Sequence, residues 1–106
     1  MRETPNLSYI HELAEGSLEF ERKIITIMKK EFLLEKKEFI TNYESNNFQE
    51  AAENVHKLKH KIGMLGLEKG YKLAIAFEEE LNGKNPLLLS KFMLILESMD
   101  KFLKTL

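Results

Sequence analysis

The chain contains no cysteine and no tryptophan, and only two prolines and five glycines. Without cysteine there is no disulfide framework, no thiolate nucleophile and no Cys-ligated zinc, and a reducing compartment is the natural setting. Charge of one sign is also lacking: 16 Lys and Arg stand against 17 Asp and Glu, so nothing draws the whole molecule toward nucleic acid or anionic lipid. Apolar runs such as Leu87 to Leu89 and Phe92 to Leu96 fall far short of the ~20 residues that cross a bilayer. Residues Met1 to Ser8 hold no apolar leader core. These absences lead to the expectation of a soluble, cytoplasmic protein with neither a nucleic-acid nor a membrane partner, whose contacts come from local patches. At 106 residues the chain suits one domain and is too short for two, so residues 1–106 read as a single helical unit.

What is present favours helices. Lys, Glu and Leu fill the intervals between the few breakers, and these are helix formers rather than strand formers. A short first helix is expected from Leu7 to Ala14, with Tyr9, Ile10 and Leu13 packing inward and Gly16 ending it. Ser17 offers an N-cap for a long second helix to about Tyr43, with Phe20, Ile24, Ile27, Met28, Phe32 and Phe39 among its apolar positions. After Ser45-Asn46-Asn47, the pair Asn47 and Glu50 suggests a capping-box variant opening a third helix that ends near Gly66. A fourth helix is expected from about Leu67 to Asn82-Gly83. Asn85-Pro86 then supplies an N-cap and first-turn proline for a fifth. Short connections between long amphipathic helices favour antiparallel neighbours. The expected fold is therefore all-α, an up-down-up-down four-helix bundle with a short N-terminal capping helix.

On a wheel at ~100° per residue, Phe48, Ala51, Val55, Leu58, Ile62 and Leu65 form the buried arc of the third helix, and His56 lies well away from its centre. Within ~60° of His56 fall Gln49, Ala52, Glu53, Lys59, His60 and Gly63, and Met64 lies about 80° round. This strip has three readings: an ordinary solvated helix face, a metal site built on the His56 and His60 pair, or a phosphoryl carrier with His56 as nucleophile. Two or three ligands on one helix do not close a tetrahedral shell. A neutral imidazole nitrogen is a competent nucleophile, and free histidine is mostly neutral at physiological pH. Lys57, Lys59 and Lys61 surround His56 with positive charge, which Glu53 opposes. The acidic run Glu78-Glu79-Glu80 reads as a solvated helix end.

The stretch Ala52-Glu53-Asn54-Val55-His56-Lys57-Leu58-Lys59-His60-Lys61-Ile62-Gly63-Met64-Leu65-Gly66-Leu67 resembles the signature of histidine-containing phosphotransfer domains. In that family the phosphorylated histidine is followed by an apolar residue two places on, a lysine three on, a small residue seven on and a glycine ten on. Leu58, Lys59, Gly63 and Gly66 occupy those positions, and the similarity extends from Leu7-Ser8-Tyr9 to Phe77-Glu78. The resemblance implies that His56 is the phosphoacceptor, with Lys59 stabilising the phosphoryl group. Ala52, Glu53, His60, Gly63 and Met64 would flank the site or meet a partner. It further implies a monomeric phosphocarrier between a sensor or hybrid histidine kinase and a response-regulator receiver domain. No cofactor would be its own, the magnesium ion and acceptor aspartate belonging to the receiver. The chain departs from the family twice, with His60 where Gly, Ser or Thr is usual and Gly70 where an apolar residue is usual. The second departure suggests a late start or a bend in the fourth helix, with Tyr71 filling the gap. The alternative is a helical adaptor that binds the same partners through this face and is never phosphorylated.

Overall fold

The computed structural model describes residues 3–106; Met1 and Arg2, part of the stretch read as lacking a leader core, lie outside them. Among the described residues there are five helices and no strand: α1 (Ser8–Ala14), α2 (Leu18–Glu44), α3 (Phe48–Met64), α4 (Glu68–Asn82) and α5 (Leu89–Lys104). None is long and apolar enough to cross a membrane. Ser17 caps α2 as expected, its hydroxyl accepting the Phe20 N–H at 3.2 Å. Gly16 and Gly66 take positive φ in the turns after α1 and α3, conformations that side chains with a Cβ resist.

The starts of α4 and α5 use side chains from elsewhere, and that of α3 uses none. Asn47 stands at the N-cap of α3 but makes no side-chain cap bond, so the expected capping box does not form. α5 begins at Leu89 rather than at Pro86. The Glu80 carboxylate accepts the Leu87 and Leu88 N–H groups at 2.8 and 2.9 Å, serving donors that no helix satisfies. Likewise, α4 has no cap of its own. Glu3 reaches it from the N-terminal segment and accepts the Lys69 and Gly70 N–H groups at 2.8 and 2.9 Å.

All five helices contribute to one apolar core. Its centre is aromatic: Phe39, Phe77 and Phe92, from α2, α4 and α5, have ring centres 4.9–6.0 Å apart, a range in which tilted and edge-to-face pairs add about 0.5–1.5 kcal/mol each. α3 adds Val55, Leu58 and Ile62, all fully buried. Polar pairs fix α3 against α2. Asn42 donates to Asn54 at 2.7 Å, and Lys61 donates to Glu35 at 3.0 Å, so touching residues run in opposite senses along the two helices.

Several expected core positions are exposed instead. In α1, Ile10 and Ala14 face inward, while Tyr9 and Leu13 form the adjoining stripe and stand in solvent. Phe20 and Ile27 are also exposed. With Glu31 and Glu35 opposite Lys61, α3 ends three residues later, and the early turns of α2 extend past it. Gly70 produces no late start to α4. A Cβ there would lie 3.2 Å from Ile62 Cγ2 and 3.3 Å from Leu67 Cβ, so glycine lets α4 approach α3 closely, and Tyr71 packs elsewhere.

Candidate functional site

The α3 backbone carries His56 between two anchors, Val55 and Leu58, both fully buried. A helix held so firmly on one side presents its other side rigidly. The His56 side chain is 52% exposed, and its Nδ1 lies 3.3 Å from a carboxylate oxygen of Glu78 on α4 and 3.3 Å from Nζ of Lys59. Lys59 Nζ in turn donates to the same Glu78 oxygen at 3.3 Å. The three groups form a nearly equilateral triangle at the α3–α4 seam.

One nitrogen cannot both donate to Glu78 and accept from Lys59. With its proton on Nδ1, His56 donates to the carboxylate, Lys59 also donates to that carboxylate, and Nε2 keeps its lone pair. That tautomer suits both partners and leaves Nε2 unprotonated on a ring that is half exposed.

Lys59 is positioned from below as well as above. Its side chain is only 12% exposed, with its stem along the seam and its ammonium 5.8 Å from the centre of the Tyr71 ring, within cation–π range. Tyr71 can lie there because residue 63 is glycine: a Cβ at Gly63 would come 3.2 Å from Tyr71 Cδ2. A relay of contacts thus runs from Gly63 through Tyr71, Lys59 and Glu78 to His56. His60 stands one turn beyond, exposed, its ring perpendicular to that of His56 at 5.0 Å between centres.

The expected strip is brought together only in part. His56, Glu53 and His60 are exposed, as is Lys57. Ala52 is buried, 3% exposed, in the core, so it offers nothing to a partner; the wheel placed it at the edge of the strip, and α3 is covered from both sides there. Gly63 is half-buried, with the Tyr71 ring 3.2 Å from where its Cβ would lie. Met64 is half-buried against the core rather than free on the surface. Lys61 turns away from His56 altogether. It is buried against α2, within 3.0 Å of Glu35 and 3.3 Å of Glu31, and adds no charge to the site.

Sequence reasoning missed Glu78 and Tyr71. The sequence places Glu78 in a solvated acidic helix end, yet its side chain is 24% exposed and bonded twice. The signal available was its place beside Phe77, whose burial carries the neighbouring residue to the seam. Among the described residues no group of three or more His, Cys, Asp or Glu converges to hold a metal. Comparisons with protein-family models, curated proteins and solved structures find no match to this chain.

Proposed function

We propose that this chain is a phosphorelay histidine phosphotransfer protein, an up-down-up-down four-helix bundle with α1 as its cap, working as a cytoplasmic monomer. His56 accepts a phosphoryl group from a receiver-domain aspartate, or from a kinase, and passes it to the receiver aspartate of a response regulator. The observation that carries this reading is the half-exposed His56 ring with Nδ1 3.3 Å from the Glu78 carboxylate.

In the forward step the Nε2 lone pair attacks phosphorus, the N–P bond forms, and the bond from phosphorus to the aspartyl oxygen breaks, returning the carboxylate. The proton on Nδ1 stays, and the imidazolium that results is stabilised by Glu78. Such transfers pass through a loose transition state, so alignment and charge count for more than additional acids or bases. A ring fixed by Glu78 supplies the alignment. Lys59 supplies positive charge near a group that gains close to two negative charges. The magnesium ion that neutralises the transferring group is the receiver's, and this chain needs no cofactor of its own. Glu53 and His60 are among the exposed residues around His56 that a docking receiver meets.

Incubation with a phosphorylated receiver domain, followed by acid-labile phosphate detection, tests the proposal. Label should appear on the intact protein and vanish in His56→Gln. No label from several receivers and kinases would favour an unphosphorylated adaptor, and label lost in His60→Gln but kept in His56→Gln would move the acceptor to His60.

A further inference from the structure

We infer that His56 and His60 form a two-nitrogen chelate for a borderline divalent cation, zinc being the best suited, with water completing its coordination. The two residues are one turn apart on α3, both exposed, with ring planes at 90° and ring centres 5.0 Å apart. Neutral imidazole is a favoured ligand for zinc and its neighbours in the series, and a poor one for magnesium or calcium. A tetrahedral zinc about 2.0–2.1 Å from one nitrogen of each ring sets the ring centres about 5 Å apart. The observed ring spacing matches that figure, and both rings stand on an exposed face of α3.

Glu78 provides an independent observation. Its carboxylate lies 3.3 Å from His56 Nδ1, and metal-binding imidazoles characteristically give their second nitrogen to a carboxylate, which fixes the tautomer and directs the other nitrogen to the ion. The ion pair of Lys59 with the same carboxylate at 3.3 Å lessens, without removing, the repulsion its ammonium exerts on a cation. His11 takes no part, being paired with Glu21 between α1 and α2. With two protein ligands the shell stays open, so the ion is exchangeable rather than structural. One consequence rests on the phosphotransfer reading: a His56 lone pair committed to zinc cannot attack phosphorus, so the ion would hold the carrier idle.

Calorimetric titration of the full chain with zinc chloride, without any phosphoryl donor, tests the site. The expected result is one saturable site, weakened about tenfold or more by His56→Gln and by His60→Gln, unchanged by His11→Gln, and with no response to magnesium chloride. Absence of saturable binding, or equal affinity in His60→Gln and the parent, overturns the inference. Since no phosphoryl donor is present, failure here leaves the phosphocarrier reading intact, and a chain that is never phosphorylated leaves the zinc result standing.

Discussion

Nδ1 of His56 and a carboxylate oxygen of Glu78, 22 residues apart in the chain and on different helices, lie 3.3 Å from each other. This contact makes one face of α3 more than a solvated surface, because a carboxylate beside Nδ1 favours the tautomer that carries its proton there. Glu78→Gln keeps the shape and removes the charge. A charge-assisted contact of this kind contributes about 1.5 kcal/mol, so phosphoryl acceptance should slow roughly tenfold. The check is the rate of acid-labile label from a phosphorylated receiver. An unchanged rate would remove Glu78 from the account.

Lys59→Ala should leave the circular dichroism spectrum unchanged and shorten the phosphohistidine lifetime about fivefold, as expected for roughly 1 kcal/mol from a partly covered ion pair. Lys59→Arg should restore most of the lifetime. A parental lifetime in the alanine variant would show that Lys59 serves only the seam.

Two glycines should respond oppositely to the same substitution. Alanine ordinarily gains ~1 kcal/mol over glycine within a helix. At Gly70 the new methyl meets Leu67 Cβ at 3.3 Å and Ile62 Cγ2 at 3.2 Å, atoms held close to the backbone, and overpacking of about 1–3 kcal/mol outweighs the gain. At Gly63 it meets only the edge of the Tyr71 ring at 3.2 Å, which can swing. Urea denaturation should show Gly70→Ala less stable than the parent and Gly63→Ala equal or more stable.

Much of the fold was legible because periodicity reports burial. Met28, Phe32, Phe39, Val55, Leu58 and Ile62 all enter the core, and Ser17 caps α2. What one sequence does not carry is the register between helices. The wheel of α3 sets His56, Lys59 and His60 near one another, but only the α3–α4 pairing puts Glu78 beside them and Tyr71 over Gly63. The same limit explains Lys61, which neighbours His60 in sequence and ends against Glu35 on α2. It also explains the borrowed caps: Glu3 for α4 and Glu80 for α5 act across turns that local motifs do not span.

Lys61 itself gives a stability test apart from the site. Its side chain is 11% exposed and that of Glu35 13%, so Lys61→Ala leaves a carboxylate covered and unpaired. A loss of about 3 kcal/mol is expected, within the range for breaking a buried pair. Thermal unfolding of Lys61→Ala beside that of the double variant Lys61→Met with Glu35→Leu provides the check. The double variant should recover much of the loss.

Peptide mapping by mass spectrometry after treatment with a small phosphoryl donor such as phosphoramidate shows whether His56 carries the phosphoryl group. The account predicts one acid-labile phosphoryl group, on the peptide bearing His56, present in His60→Gln and absent in His56→Gln. A chain left unmodified under conditions that label a known phosphocarrier, or one modified at His60 alone, would contradict it.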